Sequence, residues 1–217
     1  SGNIGNTSFS STFDDQDRLL TFRTYSFTYN KAGQTLTKVD SGSSDDWAYE
    51  WDAWGMLKEV TLPNSDVVTY VTDGVNRRIA KLVNSTLTRR YIYQDQLRIA
   101  GEVDGSGNVN HFIYGSRSNV PDYMIRDVSG TATKYRIISD HLGSVRLVVN
   151  SSTGSVVQRI DYNEFGLVLS DTNPGFQPFG FAGGLYDPDT KLMHFGVREY
   201  DAQTARWLSK DPIDFDG

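Results

Sequence analysis

The chain contains no cysteine. That excludes a disulfide framework and any thiolate metal site. No apolar run approaches membrane-spanning length. Ser1-Gly2-Asn3 is polar, so no leader of the basic-then-apolar kind is visible. Positive charge is scarce: 21 Lys and Arg stand against 27 Asp and Glu, a net charge of −6. Arg77-Arg78 and Arg89-Arg90 are the only basic pairs, which leaves no electrostatic footprint for nucleic acid. No window holds a helical period with caps, and helix is expected only as a short turn near Ala202 to Arg206. His111, His141 and His194 are the only histidines. No two have helical metal-ligand spacing, so structural roles are expected, with no metal and no cofactor.

What is abundant is aromatic and turn-forming. Twelve Tyr, 11 Phe, 4 Trp and 20 Gly point to β structure. Val67 to Val71, Arg90 to Tyr93 and Val109 to Tyr114 read as strands. Arg146 to Val149 and Val156 to Tyr162 flank a turn at Asn150 to Gly154, a hairpin signal.

A unit recurs: an aromatic, Asp or Asn, two or three residues, Gly or a substitute, then an apolar end, Leu or Ile as at Leu19, Leu36, Leu57, Ile79 and Leu97. Its anchors are positions 13, 29, 51, 72, 93, 114, 139 and 162, with spacings 16, 22, 21, 21, 21, 25 and 23. Such a period marks a repeat array. About 21 residues hold two strands and two turns, and hairpins of that size must pair edge to edge. The expected fold is therefore all-β, an array of antiparallel hairpins in one long, twisted, coiling sheet. Gly115 to Asp122 and Ser170 to Gly175 are expected as loops. Trp51 sits at the aromatic position of its repeat and is expected in the core, whereas Trp47 and Trp54 are free to face solvent.

The last third carries a denser block. Tyr186-Asp187 and Tyr200-Asp201 lie 200 − 186 = 14 residues apart, followed by Arg206-Trp207 and Asp211-Pro212. Tyr-Asp is a strand-to-turn junction whose Asx side chain bonds the turn backbone. Asp140 is expected to cap a turn before Gly143, with His141 packing or bonding locally. Arg198 and Arg206 are expected to stack on rings such as Tyr200 and Trp207.

These residues resemble a known family. The repeat is similar to the YD repeat of Rhs proteins, of the C components of insecticidal ABC toxin complexes and of teneurins. Asp140-His141-Leu142-Gly143-Ser144 and the block 185–212 resemble the Rhs-associated core signature. The resemblance implies one YD-repeat/Rhs-core domain over 1–217, with an array at 10–168 and a terminal core signature at 176–213. It implies a spiralling shell that encloses a C-terminal effector polypeptide, or the remainder of a longer chain, with the core region sealing one end. Secretion or cell-surface display through a bacterial export system follows from it. In many members the core also cuts itself with two Asp-Pro-x-Gly motifs. Here Asp211-Pro212-Ile213-Asp214 is the first, with Asp214 in place of glycine, and the second would lie beyond Gly217. Lys191, Glu199, Ala202 and Ala205 also depart from the family pattern, which weakens turn geometry more than the fold.

An aspartyl mechanism needs two carboxylates that share a proton. Asp211 is the candidate for one of them, and the plainer reading is a turn closing the last strand. The leading expectation is a shell or cap segment. Its rivals are an adhesion module that binds surface glycans through the tryptophans, and a self-cleaving protease in a longer protein.

Overall fold

A computed structural model describes residues 10–211. Pro212 and Asp214 of the expected cleavage motif lie outside the described residues. Sixteen strands form one sheet in strict sequence order. They are β1 (Ser11–Phe13), β2 (Leu19–Phe22), β3 (Tyr25–Tyr29), β4 (Thr35–Asp40), β5 (Trp47–Trp51), β6 (Leu57–Thr61), β7 (Val67–Thr72), β8 (Arg78–Val83), β9 (Thr86–Tyr93), β10 (Ile99–Asp104), β11 (Val109–Ile113), β12 (Tyr123–Val128), β13 (Thr131–Ser139), β14 (Val145–Asn150), β15 (Val156–Tyr162) and β16 (Val168–Asp171). Every pairing is antiparallel. Ser170 and Asp171, expected in a loop, belong to β16. A second sheet of four strands follows: β17 (Leu185–Tyr186), β18 (Leu192–Phe195), β19 (Arg198–Asp201) and β20 (Arg206–Trp207).

Seven of the eight anchors end an odd-numbered strand and Tyr114 follows directly on β11, and the turn after the anchor explains the repeat. In the third turn the Asp52 carboxylate accepts the N–H groups of Trp54 and Met56, both at 2.9 Å. Asn30, Asp73, Asp104, Asp140 and Asn163 accept from the residues two and four ahead in the same way. One side-chain oxygen thereby replaces two missing ladder partners. The third residue after the Asx takes a left-handed conformation. Glycine fills that place at Gly33 and Gly55, while Asp17 and Asn76 adopt it with a side chain.

A register shift precedes the anchor in most of these hairpins, so the anchor pairs with the residue six places on: Trp51 with Leu57, Thr72 with Arg78, Tyr93 with Ile99. This corrects the sequence reading of the apolar end of the unit. Leu19, Thr35, Leu57, Arg78, Ile99 and Val145 are the buried ends, whereas Leu36 and Leu97 are exposed. The aromatic anchor then reaches back one hairpin. Tyr29 Oη donates to the Leu19 carbonyl at 2.7 Å, Trp51 Nε1 to Thr35 at 2.7 Å, Tyr93 Oη to Arg78 at 3.0 Å and Tyr114 Oη to Ile99 at 3.1 Å. A ring at the anchor therefore buries apolar area and ties neighbouring repeats through its polar tip.

Strand alternation sends one face of the array inward. Trp47, Tyr49, Leu57, Val60, Val68 and Tyr70 form one core with Leu192 and Leu208 of the terminal segment. Ile99, Phe112, Met124, Ile137, Val145, Val148 and Ile160 form a second core around Phe179. The Phe179 ring meets Phe112 edge-on, with centroids 4.9 Å apart. Trp47, expected to be free, is buried in the first core because it shares the inward face of β5 with Tyr49 and Trp51. Trp54, on a turn, is fully displayed. The tryptophans thus do not form one exposed glycan platform.

Candidate functional site: the seal between the array and the terminal sheet

The terminal sheet lies on the inner face of the array, and the contact is ionic as well as apolar. Three buried cations project inward from the array: Lys38 on β4, Arg78 and Lys81 on β8. Each meets a buried carboxylate of the terminal segment. Lys38 Nζ donates to Asp201 Oδ2 at 2.8 Å and to Gln203 Oε1 at 2.7 Å. Arg78 Nη2 donates to Glu199 Oε1 at 2.7 Å, with its guanidinium 3.5 Å from the centre of the Tyr70 ring. Lys81 Nζ is bound by Asp187 and, at 2.5 Å, by Asp189. The Tyr70 hydroxyl donates to Asp187 Oδ2 at 2.6 Å.

Asp187 and Asp201 use one oxygen as their array counterparts do. Asp187 Oδ1 accepts the Asp189 N–H and Asp201 Oδ1 the Gln203 N–H, each at 2.9 Å. They also hold a lysine, a role the array Asx residues lack. Burial pushes the Asp187 carboxyl up, but Lys81 and the Tyr70 hydroxyl outweigh it and leave the group below its ordinary value. Glu199 behaves likewise: burial raises it, and Arg78 with His194 brings it below. His194 Nδ1 lies 2.6 Å from Glu199 Oε1. Burial and the Arg78 charge together hold this imidazole below its usual range, against the opposing pull of Glu199. A polar cavity of about 370 Å³ adjoins the cluster, and Arg78, Lys81 and Arg89 in its wall are all ion-paired.

The edges of the seal reach the array turns. Tyr200 Oη donates to the Phe165 carbonyl in the eighth turn at 2.9 Å. Arg206 stacks over Phe13 at 4.6 Å and donates to the Asp17 carbonyl in the first turn at 3.4 Å. Gly166 packs so closely under Phe181 that a methyl at that position would overlap the ring, and its φ of 87° already disfavours one.

The residues singled out from sequence fall as follows. Tyr186, Asp187, Tyr200, Asp201, Arg206 and Trp207 converge in the terminal sheet. Arg198 stacks on Trp207 at 4.1 Å and pairs with Asp211 at 2.9 Å. Asp140 caps the seventh turn before Gly143, while His141 is exposed and its carbonyl accepts from Arg117. Lys38, Arg78, Lys81 and Tyr70 are not marked as site residues by the sequence pattern. The signal for Arg78 was present, because it occupies the buried sixth place after its anchor, where leucine, isoleucine or valine stands in several other repeats. Of the family departures, Lys191 and Ala205 take left-handed conformations where glycine is usual. Glu199 is not a weakened turn residue: it lies in β19 and receives Arg78.

The comparisons agree with this architecture. The model of the family "Teneurin YD-shell" matches residues 1–216. Human Teneurin-4 is 32% identical over 173 residues, covering 75% of this chain and 6% of the relative. Drosophila melanogaster Teneurin-m is 26% identical over 216 residues, covering 85% of this chain and 8% of the relative. The chain therefore spans a small fraction of these relatives. The solved TcdB2-TccC3 structure superposes with a TM-score of 0.59 at 18% identity, over 97% of this chain and 13% of that one, a likeness of fold. The chain belongs to the teneurin YD-shell family.

Proposed function

We propose that this chain is the sealing end of a YD shell, in which the terminal sheet closes a curled array and keeps a polypeptide enclosed by the longer protein away from solvent. The observation that supports it most is the set of three buried cation–carboxylate bridges between array and terminal sheet. Exposed ion pairs contribute little, but these have lost their water, so removing either partner by substitution leaves a charge buried and unpaired. The site offers closure rather than turnover. The enclosed polypeptide and its delivery outside the cell by a bacterial export system rest on the Rhs-type terminal signature.

The test uses the longer protein carrying an unrelated unfolded segment after the terminal sheet. That segment should resist protease, and Lys38→Met with Lys81→Met should remove the protection. Digestion as fast as that of the free segment would sink the reading. Self-cleavage involving Asp211 is a separate proposal. Intact mass of the longer protein and of its Asp211→Asn variant checks it, and equal masses would exclude it.

A further inference from the structure

The strands end in two rims of opposite character. One rim carries the connections Arg23-Thr24, Ser41 to Asp46, Pro63 to Ser65, Asn84-Ser85, Gly105 to Gly107, Ser129-Gly130 and Ser151 to Ser155. Its connections hold only Pro63 and the buried Leu62 as large apolar residues, and the displayed Val128 and Val156 beside them sit on strand ends rather than on turn tips. The other rim carries the Asx turns, and the second residue after the Asx is apolar and displayed in turn after turn. Trp54 is 82% exposed, Val75 53%, Leu97 72%, Leu142 49% and Phe165 52%. The turn geometry does not demand this, because the Asp104 turn has the same hydrogen bonds on the opposite rim and places Ser106 there.

The apolar rim runs around the terminal sheet. Its first turn is held by Arg206, its eighth by Tyr200, and Leu97 of the fifth packs beside Gly196 in the β18–β19 connection. A cleft of about 700 Å³ opens there between Tyr93, Leu97, Phe195 and Gly196. Successive tips stand two strand spacings apart, roughly 10 Å. Charge on the rim is largely cancelled within turns, by Arg18–Asp14, Arg77–Asp73 and Arg98–Asp95.

We propose that this rim docks the same rim of a second copy of the chain, face to face, about a twofold axis through the fifth turn. An identical rim has the same pitch by construction, and it sets Trp54 and Leu97 against apolar tips, while Val75 faces the tipless sixth connection and Phe165 faces Ala32. The twofold pairs turn n with turn 10 − n. Trp54 of the third turn meets Leu142 of the seventh, and Leu97 meets its own copy. Lys31 and Glu164, the exposed charges before the tips of the second and eighth turns, face each other with opposite sign. The first turn, whose tip is Gln16 between Asp15 and Asp17, has no counterpart in this pairing and carries no apolar tip.

Sedimentation equilibrium of the intact chain over a range of concentrations tests the proposal. A monomer–dimer equilibrium is expected. Trp54→Ser should raise its Kd at least about a hundredfold, with the melting curve unchanged at dilutions where both proteins are monomeric, because the side chain is displayed. Lys31→Glu should raise Kd roughly tenfold, since two symmetry-related pairs become repulsive. Adding Glu164→Lys to Lys31→Glu should restore the original affinity. A monomer at every concentration, a dimer indifferent to Trp54→Ser, or failure of the charge swap to restore affinity would each overturn it. So would a monomer that co-sediments with phosphatidylcholine–phosphatidylserine vesicles and loses them on Trp54→Ser, which would make the rim a lipid surface.

Discussion

The array and the terminal sheet use the same Tyr-Asp junction for different ends. In the array the Asx oxygen serves backbone donors two and four residues away, and the rings of one hairpin bond the next. Its cohesion is short in sequence and repeats. In the terminal sheet Asp187 and Asp201 cap turns in the same way but also bind Lys81 and Lys38, which lie 106 and 163 residues distant. A repeat array distributes stability over many like contacts, whereas the seal concentrates it in a few that cannot be lost singly.

The largest expected effect tests that contrast. Lys81→Met leaves Asp187 buried without its cation and should cost about 3–5 kcal/mol in urea unfolding. Arg77→Met, which breaks a half-buried pair at the surface of an array turn, should cost less than about 1 kcal/mol. Equal costs would erase the distinction. Arg78→Met combined with Glu199→Met should recover most of what either loses alone, because Arg78 Nε and Glu199 Oε2 are buried without hydrogen-bond partners in the native pair.

Acid should open the same contrast. His194 is held below the ordinary imidazole value of about 6.5, so as pH falls below that value the unfolded chain takes up a proton the folded chain refuses. Asp187 and Glu199 are also depressed. Their contribution is complete above about pH 4 and lost as pH falls through their folded values. Stability should therefore decline in two stages, and hydrogen exchange should show residues 185–208 loosening before the central array strands. In a His194→Gln variant the decline should begin only near pH 4. A loss that starts in the array instead would contradict the assignment.

Smaller effects probe the turns. Asp52→Ala removes the acceptor of two backbone donors and should cost about 1–2 kcal/mol by chemical denaturation. Ala205→Gly relieves a left-handed alanine and should gain less than about 1 kcal/mol, because the freedom glycine adds to the unfolded chain offsets part of the relief. The sign of the second change, opposite to the usual effect of a new glycine, is what makes it informative.

Much of the array was legible. Phe13, Tyr29, Trp51 and the later anchors lie at the ends of odd strands, Tyr114 one residue past its own, because the Asx turn is closed by atoms within four residues of one another. The buried end of the unit falls one residue before Leu36, because a bulge in the paired strand sets Thr35 against the anchor, and two residues after Leu97, because Leu97 stands on the turn itself. Trp47 was misjudged because a strand's alternation does not say which face is covered. The site was half legible: Asp187 and Asp201 announced themselves by their motif, while Lys38 and Lys81 looked like ordinary strand lysines.

The sequence by itself determined the β class, the hairpin period and the chemistry of every Asx turn, because local side-chain and backbone geometry governs all three. Only the tertiary structure decided which face turns inward and that Lys38, Arg78 and Lys81 are buried. A lysine or arginine in a strand is solvated until an opposite charge from a distant segment replaces its water, and no periodicity encodes that meeting.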